Sequence, residues 1–169
     1  MAFKGRVLHV GSGTNRLPEW CGDCEEVRFD INPEVKPDIV GDILDMGDIG
    51  LFDVVFSVHV VEHLYPHEIQ KAFSEFKRVL KPGGVVICFV PDLEDVPATD
   101  DVMYESPCGP ITGLDMIYGK ANLVEDSLYM AHHTGFTQKR LESELFKVGF
   151  KEVSVLRVST FNLFGSGKV

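Results

Sequence analysis

Arg6-Val7-Leu8-His9-Val10-Gly11-Ser12-Gly13-Thr14-Asn15 decides the reading of this chain. A short apolar run enters a Gly-x-Gly turn, and the next apolar run, Glu26 to Asp30, closes on an acid. That order suits a nucleoside ligand at the carboxyl ends of parallel strands. The glycines let the backbone approach the ligand, and the acid accepts hydrogen bonds from ribose hydroxyls. Gly-x-Gly alone is common in turns, so the weight falls on the segments downstream of it.

The 169 residues are one domain's worth of chain, enough for a single sizeable core, and 1–169 is read as one domain. Hydrophobic residues make up 44% and charged residues 25%, the balance of an ordinary globular protein. The net charge of −10, with Lys and Arg scattered, argues against a large polyanion as the natural substrate, so no nucleic-acid partner is expected. No apolar stretch is long enough to span a bilayer, and the first strand begins almost at once, so the expectation is a cytoplasmic protein with no membrane partner. Cys21-Gly22-Asp23-Cys24 copies a redox motif, but a strand follows it where a long helix should. Cys88 and Cys108 supply no second zinc-ligand pair. Reduced thiols without function, and no metal site, are expected.

Strands are expected at Arg6 to Val10, Glu26 to Asp30, Ile39 to Gly41, Phe52 to Val58 and Val85 to Val90. Phe52 to Val58 is nearly all apolar, as a strand covered on both faces should be. Pro66 to Leu80 reads as a helix, with Ile69, Phe73, Phe76 and Leu80 at helical spacing and Lys81-Pro82-Gly83-Gly84 as its stop. Thr137 to Val148 is a second helix, with Thr137 as its cap and Gly149 as its end. Glu152 to Val158 and Thr160 to Phe164 read as closing strands. Alternating strands and helices imply an α/β fold, a mostly parallel sheet with helices on both faces. Only 15 residues, Gly11 to Glu25, join the first two strands, so a short helix or irregular loop is expected there. Residues 91–136, rich in proline and glycine, read as a lid with some helix from Asp126 to His132.

Five segments together resemble the class I S-adenosylmethionine-dependent methyltransferases. They are Val7 to Gly13, Phe29-Asp30-Ile31, Gly41-Asp42-Ile43, Phe52 to Ser57 with Glu62-His63-Leu64, and Arg78-Val79-Leu80-Lys81-Pro82-Gly83-Gly84, the most specific of the set. The resemblance runs from about residue 6 to the C-terminus. It is nearest to a branch of small bacterial methyltransferase-like proteins, through Asn15 to Pro18, Ser57 to Leu64, Pro91-Asp92-Leu93 and the late His133-Thr134-Gly135-Phe136. It implies a Rossmann-like sheet with one antiparallel strand near the C-terminus, and S-adenosylmethionine as cofactor. The chain departs from the pattern at His9, where many relatives carry an acid near the methionine end of the cofactor, and at Asn15, where a third glycine is common. Only five residues precede the first strand, so the N-terminal cap of many relatives is expected to be absent.

The resemblance assigns the cofactor to Gly11, Ser12, Gly13, Asp30, Ile31, Asp42, Ile43 and Ser57. Asp30 would accept from the ribose, Ile31 would pack on adenine, and Asp42 would accept from the adenine amino group with Ile43 beside it. Methyl transfer needs a base only if the acceptor must lose a proton. Histidine titrates near neutrality, which makes His59, His63 and His133 the catalytic candidates, with His132 beside them. Glu62 reads equally as a structural hydrogen-bond partner or a cofactor contact. The expected partner is a small uncharged or cationic acceptor, with an open flank that a second copy of the chain, a homodimer, would close. Two other readings stand beside this one. A cofactor-fold binding or regulatory module is favoured slightly by His9. A nicotinamide oxidoreductase lacks its third glycine, because Arg16 occupies that place.

Overall fold

The computed structural model describes residues 2–106, 108–159 and 161–169. Five parallel strands come first: β1 (Arg6–Val10), β2 (Glu25–Asp30), β3 (Ile39–Val40), β4 (Phe52–Val58) and β5 (Leu80–Pro91). A hairpin, β6 (Val102–Ser106) and β7 (Gly109–Thr112), stands apart from them. β8 (Lys151–Ser159) and β9 (Asn162–Lys168) complete a seven-stranded sheet in the order β3-β2-β1-β4-β5-β9-β8. β9 runs antiparallel to both of its neighbours, and the other pairs are parallel. The order reverses between β1 and β4, and an open α/β sheet forms its ligand crevice at such a switch point.

Side-chain alternation divides the strands between two cores. Leu8, Val10, Phe29, Val55, Val86, Cys88 and Leu163 face α1 (Ile69–Arg78) and α4 (Gln138–Lys147), which bury Ile69, Phe73, Phe76, Leu141 and Leu145 against them. Thr137 caps α4 by accepting from the Arg140 amide at 3.3 Å. The other face holds Val7, Val54, Phe56 and Ile87. Its cover comes from the N-terminal segment and the β1–β2 connection, where Phe3 and Trp20 pack their rings 6.0 and 5.9 Å from Phe56. The expected helices on both faces thus become an asymmetric arrangement. The β1–β2 connection forms only a 3-10 turn at Glu19–Cys21, too short for a crossover helix, and toward β8 Leu156 and Val158 stay about half exposed, at 53% and 51%.

Other boundaries move for local reasons. α1 ends at Arg78 rather than Leu80, because Leu80 already pairs with Phe52. Gly84 follows within β5, where a Cβ would lie 3.1 Å from the Asp53 carbonyl oxygen and 2.9 Å from that of Lys81. The helix expected from Asp126 to His132 is not there. Helix lies earlier, in α2 (Gly113–Tyr118) and α3 (Ala121–Asp126), and extended Ser127 leaves one 3-10 turn at Leu128–Met130. Thr112 opens α2 with a capping box, accepting from the Asp115 amide while the Asp115 carboxylate accepts from the Thr112 amide. The two feet of the 91–136 excursion meet: Asp92 bridges Phe136, and the Leu93 amide donates to the Phe136 carbonyl at 2.9 Å. Pro107 in that excursion, and Thr160 as the expected start of the last strand, lie outside the described residues.

The four cysteines are unpaired. Burial pushes the Cys21 thiol up to about 11 and that of Cys88 up to about 12, and it raises Cys24 as well. Thiols held this far from ionisation are poor nucleophiles at neutral pH. Among the described residues, no helix is long and apolar enough to cross a membrane.

Candidate active site

The carboxyl ends of β1, β2, β3 and β4 form one rim. Gly11 and Gly13 turn the chain after β1 with φ of +59° and +51°, a backbone that suits glycine. A Cβ on Gly11 would lie 2.3 Å from Val60 Cγ2, so the turn after β1 rests directly on the turn after β4. Asn15 is not left-handed. Its amide closes the turn onto the Ser12 carbonyl at 3.0 Å, and the third glycine is not needed.

Asp30 anchors this turn. Its Oδ2 accepts from the Gly13 amide at 2.7 Å and its Oδ1 from the Asn32 amide at 2.9 Å. Each oxygen keeps a second lone pair for a ligand hydroxyl. Ile31 is 42% exposed beside it, open to a planar partner. The Gly41 amide donates to the Asp30 carbonyl at 3.0 Å, which brings exposed Asp42 and half-buried Ile43 to the same rim. Asp42 Oδ1 accepts from the Leu44 amide at 2.8 Å. Ser12 is buried in the wall of an open cavity of about 260 Å³, which His9, Gly11, Asn15, Arg16, Pro18, Phe56 and Val58 also line. Ser57 does not join the set in this structure. It is fully buried between β1 and β5, its parity along β4 sets it on the side of Val55, and its hydroxyl has no partner among the described residues.

Two further residues, set back along β2 from this rim, support it and escape a reading by motif. Glu26 on β2 stands behind His9, with Oε1 2.8 Å from His9 Nδ1. The same carboxylate accepts from the Leu17 amide at 2.9 Å and from Arg16 at 3.1 Å. Burial holds His9 below its ordinary value despite Glu26, so the ring is neutral at pH 7. Burial works against the charge of Glu26, yet the bonds from His9, Arg16 and Leu17 hold it below the usual carboxylate range. Nδ1 therefore carries the proton and donates to Glu26, and Nε2 is left as an acceptor at the cavity. An acid thus stands beside His9 from the neighbouring strand. Arg28, also buried, donates through Nη2 to the Gly13 carbonyl and to the Val35 carbonyl at 3.1 Å, tying the glycine turn to the turn after β2.

Across the switch point lie the histidines. His59 follows β4 with φ of +52°, a left-handed backbone uncommon outside glycine. Its Nδ1 lies 3.0 Å from Oε1 of Glu62, a carboxylate only 1% exposed. Burial works against the charge of His59, but Glu62 outweighs it and holds the imidazole above its ordinary value. Burial likewise opposes ionisation of Glu62, and the bond and charge of His59 with the nearby His63 and His132 hold it low. The segment at the end of the excursion docks here: the His133 and Thr134 amides donate to the Glu62 carbonyl at 2.9 and 3.0 Å. His133 itself is exposed, stacked on Tyr65 with ring centroids 4.2 Å apart, whereas His132 turns inward to lie 5.0 Å from His63. Of the three sequence-predicted catalytic histidines, His59 and His63 gather around Glu62. His133 stands outside that cluster, and the inner place falls to His132.

A family model described as a methyltransferase domain matches residues 8–88, the span from β1 to β5. The tRNA N(3)-cytidine methyltransferase METTL2 of Danio rerio is 32% identical over 108 residues, a match that takes in 48% of this chain and 30% of that protein. Among solved structures, DhpI in its complex with S-adenosylmethionine and HEP superposes with a TM-score of 0.68 at 16% identity, covering 96% of this chain and 78% of that one. Human N-acetylserotonin methyltransferase with S-adenosylmethionine gives 0.65 at 16% identity, covering 96% of this chain and 47% of that one. The strand order agrees with these likenesses: the chain has the fold of S-adenosylmethionine-dependent methyltransferases, and its first half resembles a methyltransferase domain.

Proposed function

We propose that the chain transfers a methyl group from S-adenosylmethionine to a small-molecule acceptor, with His59 as the base that takes the acceptor's proton. One observation carries this reading. A non-glycine residue sits in left-handed backbone at the carboxyl end of β4, backed by a buried carboxylate and joined to the glycine turn through Val60. Such strain gathers at functional sites, where the surrounding structure fixes a side chain that would otherwise be mobile.

The bound cofactor supplies the electrophile, a sulfonium methyl. The chain supplies the rest. Asp30 and Asp42 hold the nucleoside, with Ile31 and Ile43 against its ring. Neutral His9, oriented by Glu26, accepts from the ammonium of the methionine end. His59 in its unprotonated form takes the proton at Nε2 while Glu62 balances the charge at Nδ1, a contribution of about 10²–10⁴ in rate. Residues 91–136 close over the acceptor as a lid. Alignment of the reacting atoms contributes on the order of 7 to 11 kcal/mol at the favourable extreme.

A small acceptor fits the surroundings. The neighbouring side chains are polar and aromatic, from Tyr65, His132 and His133, and the chain carries a net charge of −10. Human N-acetylserotonin methyltransferase bears a small acceptor in its name. METTL2 bears tRNA, but the match to it spans 30% of that protein. Calorimetry with S-adenosylmethionine, S-adenosylhomocysteine and NAD side by side tests the cofactor. Release of S-adenosylhomocysteine over a panel of hydroxyl, amine and ring acceptors, with bulk tRNA in parallel, tests the acceptor. The reading holds if the sulfur nucleosides bind, NAD does not, and a small acceptor is turned over in a His59-dependent way. Turnover on tRNA alone overturns it.

A further inference from the structure

Glu62, which backs His59, also forms a cluster with His63 and His132, two rings that base catalysis by His59 leaves unexplained. We propose that these three side chains bind one divalent transition-metal ion of the zinc class, with a fourth coordination position open toward the acceptor.

One donor atom from each side chain lies within 4.8 Å of the others. The state of both rings is fixed from behind. His63 Nδ1 lies 3.1 Å from the Ala131 carbonyl oxygen, and His132 Nδ1 lies 2.8 Å from that of Met116. A carbonyl only accepts, so each Nδ1 carries a proton, and Nε2 is the nitrogen on each ring that a metal ion would take. Metal-bound histidines are oriented by this same kind of bond. The carboxylate is prepared in the same way. Glu62 is 1% exposed, its Oε1 is engaged by His59, and its Oε2 has no partner among the described residues. A fully buried carboxylate with a free oxygen, gathered with two imidazoles, is a donor set for a cation.

The donor set selects the ion. Two nitrogens and one carboxylate suit zinc and its neighbours, whereas calcium and magnesium take all-oxygen shells. Three protein ligands with one open position is the pattern of catalytic rather than structural zinc. Bonds of about 2.0–2.2 Å set tetrahedral donors roughly 3.4 Å apart, so the side chains close up by about an ångström on binding. The frame around them is firm. The His133 and Thr134 amides hold the Glu62 carbonyl, and the Thr134 hydroxyl donates to the Leu64 carbonyl at 2.6 Å. The ion would stitch the turn after β4 to the end of the 91–136 excursion, and its open position would take an acceptor oxygen, sulfur or nitrogen. Binding of the ion needs no cofactor, so the proposal stands or falls apart from methyl transfer.

The test uses the full chain stripped by chelator. Zinc chloride is titrated by calorimetry, and cobalt chloride is followed by its visible absorption, which reports coordination number. The expected result is one ion per chain, a four-coordinate cobalt spectrum, and affinity weakened more than about ten-fold in both His132→Ala and Glu62→Gln. His67→Ala and Cys108→Ser, exposed donors outside the cluster, should bind as the parent does. His132 is only half-buried, so its variant keeps the fold, and circular dichroism checks this. Absence of binding, or one-to-one binding that survives His132→Ala, overturns the proposal. Affinity for S-adenosylhomocysteine, measured on the same samples without metal, separates a failure of this site from a failure of the cofactor reading.

Discussion

Glu26→Ala is the substitution that most directly tests whether the acid beside His9 helps to hold the cofactor. In the folded chain this carboxylate accepts from the Leu17 amide at 2.9 Å and from His9 Nδ1 at 2.8 Å. Both donors are left without a partner in the variant, and each costs about 1–3 kcal/mol if no water reaches it. Arg16, 69% exposed in its side chain, adds about 0–1 kcal/mol. The cavity that His9 and Arg16 line is open, so water satisfies part of the loss, and about 2–3 kcal/mol is the expected cost. Against a total of about 5–15 kcal/mol the variant still folds. Its Tm should fall by roughly 5–10 °C. With His9 no longer oriented, S-adenosylmethionine should bind about ten-fold more weakly, whereas Glu26→Gln keeps the acceptor and loses less. Denaturant unfolding of His9→Ala, Glu26→Ala and the double variant closes a cycle, with an expected coupling of about 1 kcal/mol. Additive single effects, together with unchanged affinity in Glu26→Ala, would refute the reasoning and leave Glu26 no part in holding the cofactor.

Three other outcomes rest on the same geometry. Asp30→Ala should weaken S-adenosylhomocysteine binding ten-fold or more by calorimetry, since charge-assisted bonds contribute about 1.5–3 kcal/mol, and should lower Tm because the Gly13 and Asn32 amides lose their acceptor; unchanged affinity removes Asp30 from the site. Hydrogen exchange in residues 93–135 should slow when S-adenosylhomocysteine is added, while the paired feet at Asp92 and Phe136 are protected in both states; equal exchange throughout would end the lid proposal. The bond from Lys81 and that from the Arg6 amide hold Asp53 below its ordinary value, so its contribution is present above roughly pH 3.9 and is lost as pH falls through the lower folded-state value. Acid unfolding of Asp53→Asn should therefore lose part of its slope below that pH, and a slope equal to the parent's would deny the ion pair any role.

How much of the fold and site is legible in the sequence depends on how local each signal is. β1, β4 and β5 carry apolar runs, those of β1 and β5 bounded by glycine or proline, and their order around Gly11–Gly13 and Asp30 is written along the chain. α2 is also legible in principle, since Thr112 and Asp115 have capping-box spacing, but Gly113 and the helix's length of six residues hide it. The pairing of His9 with Glu26 is not legible. It depends on the register of β1 against β2, in which Val7 sits opposite Glu26, and no spacing rule encodes that. The choice between His132 and His133 is invisible for a similar reason. Adjacent residues in an extended segment face opposite ways, and only the docking of that segment on Glu62 decides which ring turns inward.

The net charge of −10 acquires a second meaning at this site. Besides weighing against polyanions, it distinguishes the two forms of the cofactor, because S-adenosylmethionine carries one more positive charge, at sulfur, than S-adenosylhomocysteine. Asp30, Asp42, Glu26 and Glu62 all lie on the rim or just behind it, and the Glu26 and Glu62 carboxyls are held low. A charge about 10 Å from the sulfonium contributes roughly 0.4 kcal/mol at the dielectric of water and about 1.7 kcal/mol at an effective value of 20. The summed field therefore favours the substrate form by a kcal/mol or more at low salt, and a Debye length of about 10 Å at 0.1 M screens much of it. Affinity for S-adenosylmethionine should fall several-fold between roughly 0.05 and 0.5 M sodium chloride, while that for S-adenosylhomocysteine changes little. Parallel calorimetric titrations across that range measure the difference. Equal salt dependence for the two ligands would mean that the acidic field does not reach the sulfur. The preference for loaded over spent cofactor would then rest on short-range contacts alone.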